Sequence, residues 1–414
     1  MIALVNPVSS GSALADAFWE EGAECLHIYT DGLSPVAESL AARHATSYRH
    51  TSLPETVRHL AAHGVRTVIA ASEYGVTLAD ELSQELGLPH HEHRLRAARR
   101  DKHAMAQALA AAGLPHARTV LVHSEQELSA ALDGRASFPL VVKPVNSAGS
   151  EGCLIVESRE RAMELFRAHT GQVNLMGEVN DGYLVQEFLR GTQYIVNTVS
   201  TGGRHLLAEV YAERIDHVDG APVLRHIISR SGFTAAEQEL VDYVLRCLDA
   251  LGIREGAAHT EVMLTDQGPR LVEVNSRVMG PCLAPDAYQA GYGYSHQHLT
   301  AESFLRPEEF AKRFELPHGP ARTVAKVFLR PHRDGLLLAM DGLRTLRRLP
   351  GFHSIARLPI IGEPVRDRYL TTGACGIAFF VHEDTALLQH SLATLHDIED
   401  SGGMFRLADP DTGS

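Results

Sequence analysis

The chain has 414 residues, 44% hydrophobic and 21% charged, enough for two to four domains with ordinary globular cores, and this composition excludes general disorder. Its 38 Lys and Arg stand against 51 Asp and Glu, a net charge of −13, and the basic residues are scattered, so nucleic acid is not expected as a partner. No run approaches the roughly 20 apolar residues that cross a bilayer. Met1-Ile-Ala-Leu-Val reads as a first strand, so no membrane partner and a cytoplasmic location are expected.

The first hundred residues alternate apolar runs with helical patterns. Strands are predicted at 1–7, 24–30 and 66–72, with helices from Ser12 to Glu20 and over 56–64, the latter closed by Gly64. This alternation predicts a parallel sheet flanked by helices. The loop over 6–18 lacks both the Gly-x-Gly-x-x-Gly pattern and a Gly-Lys-Ser/Thr ending, so it reads as a helix start capped by Ser10 or Ser12. The run His90-His91-Glu92-His93 follows Pro89 and reads as a solvated connector rather than a metal site. The five cysteines (Cys25, Cys153, Cys247, Cys282 and Cys375) never form a Cys-x-x-Cys pair and read as reduced core thiols.

Beyond Pro89, Asp101 can cap a helix that stops at Gly113, with Pro115 after it, and this marks a second domain. Strands at 117–124, 138–144 and 153–158 surround helices at 125–132 and 160–169. Strands at 184–189 and 193–200 precede a long amphipathic helix over 235–252. A β-rich tail begins near Arg322, with strands at 322–331, 354–360 and 376–382 and a terminal helix around 385–399.

The chemistry concentrates in the segment 256–280, GAAHTEVMLTDQGPRLVEVNSRVMG. Alternation is strict on both sides of the Gly-containing loop 265–269, which predicts a hairpin. Pairing Leu264 with Arg270 sets Glu261 opposite Glu273 and His259 opposite Asn275. His259, Glu261, Glu273, Asn275 and Arg277 then share one face, and Val262, Val272 and Val274 fill the other. Two carboxylates directly opposite each other repel, and a hard divalent cation such as Mg²⁺ would offset this. A solvated face with two ordinary acids remains the alternative at this point. Upstream, Lys143 closes the apolar strand 138–144 before a Gly- and Ser-rich loop whose amides could receive phosphate oxygens, although a lysine snorkelling beside an ordinary loop fits as well.

Taken together, the helix beginning Asp101-Lys102, the strand ending Val142-Lys143-Pro144, the glycine loop, the segment Gln186-Glu187-Phe188-Leu189 and the paired acidic strands resemble the ATP-grasp superfamily. Within it, the chain looks most like bacterial L-amino acid ligases, and the resemblance covers nearly its whole length. It implies an ATP-grasp fold, α/β and α+β, with biotin carboxylase-like architecture. The expected parts are a pre-ATP-grasp domain over 1–95, an ATP-grasp domain over 96–320 and a β-rich domain over 321–414. The ATP-grasp domain divides into a small lid lobe over about 115–185 and a large lobe over about 186–320.

Residue by residue, the resemblance implies that Lys102 and Lys143 touch the phosphates of ATP, and that Ser147, Gly149, Ser150 and Gly152 lie on the loop closing over them. Gln186, Glu187, Phe188 and Leu189 would cradle adenine. Gln193 stands where many members place a ribose-binding Glu. Glu261 and Glu273, helped by Asn275, would hold Mg²⁺, two ions being expected and Mn²⁺ able to substitute. Arg277 would hold the reacting carboxylate and its acyl phosphate, with Met279, Gly280 and Pro281 bordering that pocket and His259 supporting it. Glu73 reads either as a site for a substrate ammonium group or as a plain helix-start acid. The implied reaction joins two amino acids through an acyl phosphate, and the implied assembly is a homodimer. Three alternatives stay open: a ligase joining an amino acid to a different acid or amine, a biotin-type carboxylase, and a nucleotide-binding regulator without turnover.

Overall fold

The computed structural model describes the chain except residues 32, 34–45, 134–136, 146–150, 175–176, 178, 282–284, 317–318, 367–369, 371–372 and 409–414. The N-terminal part builds β1 (Ile2–Val5), α1 (Ser10–Glu20), β2 (Cys25–Tyr29), β3 (Ser47–Arg49), α2 (Leu53–Ala62), β4 (Thr67–Ala70) and α3 (Val76–Glu85). The strands pair in parallel in the order β3-β2-β1-β4, as the alternating pattern predicts. Helix α1 is entered through Ser9 at φ 54°, with no side-chain cap, so neither Ser10 nor Ser12 caps it. Between β4 and α3, Gly75 passes so close to β1 that a Cβ there would lie 2.4 Å from the Val5 carbonyl oxygen. The His90–His93 connector is docked rather than solvated: His91 Nδ1 accepts from the Arg254 amide at 3.1 Å, and the Glu92 amide donates to Gly252 at 2.9 Å.

The next part starts with α4 (Lys102–Ala111), whose first turn is fixed by Asp101 accepting from the amides of His103 and Ala104. A four-stranded antiparallel sheet follows, in the order β5 (Thr119–Val122), β8 (Tyr183–Glu187), β6 (Leu140–Pro144), β7 (Leu154–Val156). Helices α5 (Glu125–Asp133) and α6 (Arg159–His169) cover it and close a core of Val122, Leu128, Val142, Leu165 and Phe166.

The large sheet has eight strands in the order β13-β12-β9-β10-β11-β14-β18-β16. It combines β9 (Gly191–Thr201), β10 (Arg204–Val218), β11 (Ala221–Ser229), β12 (Gly256–Thr265) and β13 (Gly268–Asn275) with β14 (Thr323–Phe328), β16 (Phe352–Arg357) and β18 (Ile377–His382). The last three come from the tail after Arg322, and β14 pairs directly with β11. A smaller sheet joins β15 (Gly335–Ala339) to β17 (Pro364–Val365) and β19 (Arg406–Ala408). One face of the large sheet packs under α7 (Ala235–Ala250), with Met105 and Leu109 of α4 sharing that core with Val262, Leu271 and Val274. Burying each such side chain is worth about 1.5–3 kcal/mol, and this fixes the start of α4 against the hairpin. Helix α8 (Pro285–Tyr292) covers part of the opposite face, α9 (His296–Leu305) packs beside α1, and α10 (Thr385–Asp400) closes the tail. Cys25, Cys247 and Cys375 are buried free thiols, whereas Cys153 is only half-buried, and Cys282 lies outside the described residues.

The hairpin reaches the predicted pairing by a different route. Thr265 pairs with Gly268 across a tight turn, so Leu264 meets Pro269 and Met263 meets Arg270, one step from the expected register. A bulge between Glu261 and Val262 then adds one residue on β13, and Glu261 meets Glu273 and His259 meets Asn275 as predicted. Because Val272 is the extra residue, Leu271 and not Val272 fills the core. Among the described residues, no helix is long and apolar enough to cross a membrane.

Candidate active site

The bulged hairpin places Glu261, Glu273, His259 and Asn275 on one sheet face. Asn275 Nδ2 donates to Glu273 Oε1 at 2.8 Å, and Lys102 Nζ lies 3.1 Å from Glu273 Oε2. Burial pushes the Glu273 carboxyl up, but Lys102 and Lys143 outweigh it and hold the group well below the usual range. Glu261 shifts oppositely: burial, reinforced by the Glu273 charge, pushes it up to about 7. This asymmetry is the repulsion anticipated for facing carboxylates. Gln193 Nε2 donates to Glu261 Oε2 at 3.0 Å, so its side chain is engaged in the acidic row rather than turned outward.

The cations arrive from separate elements. Lys102 opens α4, and Lys143 is the last residue but one of β6 with 6% of its surface exposed, where burial pushes its ammonium down and Cys153 opposes that shift. Arg277 follows β13 and extends to Glu73 in the turn between β4 and α3. Both Glu73 oxygens are engaged, Oε2 by Arg277 Nη2 at 2.9 Å and Oε1 by Arg100 Nη1 at 2.6 Å. The two guanidinium groups keep the Glu73 carboxyl low against the upward push of burial. Glu73, which the sequence left either as a site for a substrate ammonium group or as a plain helix-start acid, thus meets two arginines in this structure.

Gln186 to Leu189 bridge the two sheets at the end of β8. Gln186 Nε2 donates to Thr119 Oγ1 at 2.9 Å, Glu187 pairs with Arg118 at 2.8 Å, and Phe188 meets His217 edge-on. Gly152 lies beside Pro144 with φ +66°, whereas Ser147, Gly149 and Ser150 lie outside the described residues. Met279 is buried, and Gly280 and Pro281 are half-buried. A Cβ on Gly280 would lie 3.0 Å from Ser10 Oγ, so the loop after β1 borders this segment.

Sequence reasoning missed a second tier of polar residues. Asn197 on β9 donates through Nδ2 to Glu209 at 2.7 Å and accepts through Oδ1 from His259 Nδ1 at 3.0 Å. Burial keeps His259 neutral by pushing its pKa down to about 3, so Nε2 carries the free lone pair, 3.5 Å from Glu261 Oε1. His296 accepts from the Met279 amide at 3.3 Å, and Lys326 on β14 donates to the Pro281 carbonyl at 3.2 Å. The one available signal was alternation in β9 and β10, which sets Asn197, Glu209 and Glu213 on the hairpin's face.

Among the described residues, no group of three or more His, Cys, Asp and Glu assembles to hold a metal. The hairpin instead offers two carboxylates and an amide. This all-oxygen set fits Mg²⁺, which favours one or two carboxylates with substrate phosphates completing its shell. Residues 136–286 match the ATP-grasp domain family. Along the whole chain there is similarity to dapdiamide A synthase of Enterobacter agglomerans, 28% identical over 412 residues and covering 96% of each protein. The chain thus carries an ATP-grasp domain over residues 136–286. The D-alanine–D-alanine ligase of Pseudomonas entomophila (strain L48) is 29% identical to this ATP-grasp chain over 185 residues, covering 42% of the chain and 54% of that enzyme. The solved L-amino acid ligase from Bacillus licheniformis has the same fold, with a TM-score of 0.76 at 18% identity, covering 99% of this ATP-grasp enzyme and 98% of its own chain.

Proposed function

We propose that this ligase activates an amino-acid carboxylate as an acyl phosphate at the expense of ATP and couples it to the amino group of a second amino acid, releasing ADP and phosphate. The observation that carries this reading is Arg277, a half-buried guanidinium at the end of the acidic hairpin, where Lys102 and Lys143 also approach. Phosphoryl transfer requires neutralised charge and in-line positioning more than covalent help. Lys102 and Lys143 supply positive charge for the phosphates, and Arg277 binds the acid to be activated through its planar fork. A divalent ion held by Glu261, Glu273 and Asn275 supplies further neutralisation of phosphate charge when bound.

The chain's own contacts orient these groups. Asn275 fixes Glu273, Gln193 fixes Glu261, and Glu73 with Arg100 steadies Arg277. Asn197 holds His259 with Nε2 free to accept a hydrogen bond from an incoming amine. Gln186 to Leu189, at the junction of the lobes, are the residues for adenine, and closure of the small lobe would exclude water from the acyl phosphate. A second reading joins an amino acid to an acid or amine outside the protein set. It is favoured by the end-to-end similarity to an enzyme named for dapdiamide A.

Phosphate release from ATP and Mg²⁺ across all pairs of proteinogenic amino acids, with products weighed by mass spectrometry, tests the proposal. Release with a dipeptide of matching mass supports the first reading. Silence across the pairs, with release in other acid and amine panels, supports the second.

A further inference from the structure

One polar row crosses four strands of the large sheet. Glu209 on β10 is the cross-strand partner of Asn197 on β9, Asn197 that of His259 on β12, and His259 that of Asn275 on β13. The row depends on a bulge. Leu207 pairs with Thr198 and Glu209 with Asn197, so Ala208 is an extra residue in β10. In a regular ladder Ala208 would meet Asn197, and Glu209 would meet Val196 and turn into the core under α7. The bulge thus brings a carboxyl onto the site face, where it is buried beside an equally buried Asn197.

Asn197 is held on three sides. Its Nδ2 donates to Glu209 Oε2 at 2.7 Å and to Met279 Sδ at 3.4 Å, and its Oδ1 lies 3.0 Å from His259 Nδ1. These partners fix which way the amide points. A thioether sulfur has no hydrogen to give, so Nδ2 and not Oδ1 faces Met279 whatever the charge on Glu209. An amide oxygen only accepts, so Nδ1 of His259 carries the hydrogen between them. The contact to sulfur is long and weak whereas that to Glu209 is short, and it is Glu209 that holds the amide in this orientation. Without that acceptor a buried Nδ2 hydrogen would go unpaired, and the amide would be free to turn over and present Nδ2 to the imidazole. His259 would then accept at Nδ1 and carry its hydrogen on Nε2, the nitrogen that lies 3.5 Å from Glu261 Oε1.

We propose that Glu209 is a positioning residue for the ligation: through Asn197 it keeps the hydrogen of His259 on Nδ1 and so presents Nε2 as an acceptor to the incoming amine. This rests on the ligase reading above. Glu209 acts by accepting a hydrogen bond and not by its charge, so a neutral acceptor of the same length can replace it.

The tautomer of His259 is readable without turnover. Long-range proton–nitrogen NMR spectra of protein carrying nitrogen-labelled histidine are compared for wild type, Glu209→Leu and Glu209→Gln, the His259 signals being those lost in His259→Gln. Wild type and Glu209→Gln are expected to carry the His259 hydrogen on Nδ1, and Glu209→Leu to move it wholly or partly to Nε2. With the acid and amine found by the phosphate-release screen, Glu209→Leu should lose about ten-fold or more in kcat, with the KM for ATP within about three-fold, and Glu209→Gln should keep both within about three-fold of wild type. A hydrogen on Nε2 in wild type, an unmoved tautomer in Glu209→Leu, or a moved one with unchanged kcat overturns the proposal. Thermal melts identify a variant that fails to fold, and if Glu209→Leu does, the wild-type tautomer and the activity of Glu209→Gln decide. A tautomer that follows Glu209 as expected, with no phosphate release in any acid and amine panel, would count against the ligase reading and leave the hold of Glu209 on His259 standing.

Discussion

Replacing Glu273 by Ala separates a metal-organising hairpin from a merely structural one. The substitution removes two hydrogen bonds, from Lys102 at 3.1 Å and Asn275 at 2.8 Å. Charge-assisted bonds contribute about 1.5–3 kcal/mol each, but their loss is offset by relief of the repulsion with Glu261, so the free protein should change by no more than ~2 kcal/mol. Nucleotide linkage should change far more. At 100 times its Kd, ADP with Mg²⁺ stabilises wild type by about 2.7 kcal/mol. Losing even an outer-shell partner of a metal typically costs 10–100-fold in affinity. A carboxylate that faces the ion directly should cost at least about 100-fold, leaving RT ln 2, roughly 0.4 kcal/mol, at the same ligand concentration. The assay is thermal unfolding of wild type and Glu273→Ala with ADP alone, Mg²⁺ alone and both, beside phosphate release. A variant that retains the Mg²⁺-dependent stabilisation, or that turns over, would refute the assignment of this hairpin to metal and phosphate.

Asp101→Ala removes both acceptor contacts at the start of α4 and should cost about 1 kcal/mol of stability, while a less fixed Lys102 raises the KM for ATP several-fold with a smaller change in kcat. Gly75→Ala drives a Cβ to 2.4 Å from the Val5 carbonyl oxygen, so denaturant melts should show a loss of about 2–3 kcal/mol or failure to fold. Burial pushes the His296 pKa down to about 4, below its unfolded value near 6.5. Between these values the unfolded chain binds more protons, so stability falls as the pH drops from about 6.5 towards 4, by ~1.3 kcal/mol at this residue between pH 7.5 and 5.5. His296→Asn should flatten that part of the profile in urea melts, and an unchanged slope would dismiss His296 as its source. Glu73→Gln leaves Arg277 and Arg100 short of a charge, so the KM for the acid substrate should change at least ten-fold while the KM for ATP moves little.

The hairpin was legible because its alternation carries the information twice, in the spacing of its acids and in the spacing of its valines. Yet the path was misread, since a turn shorter by one step and a compensating bulge leave Glu261 opposite Glu273 while exchanging Val272 for Leu271 in the core. Lys102 was legible for another reason. The Asp101 cap fixes where α4 begins, and Met105 and Leu109 then hold that turn against the back of the hairpin.

What stayed hidden depends on pairings distant in sequence. Glu73 and Arg277 are 204 residues apart, and no local pattern announces that a turn after β4 will face the end of β13. Strands β10 and β11 escaped because Glu209, Glu213 and Arg225 resemble solvent-facing residues, although Glu209 and Arg225 are buried. Polar side chains in a strand mark a wet face only when that face meets bulk water. Here the sheet face turns into the site, where Asn197 links Glu209 to His259 and Gln193 secures Glu261. A polar residue on such a face is held by its neighbours rather than by water, so replacing Asn197 should disturb His259 more than it disturbs the strand that carries both contacts.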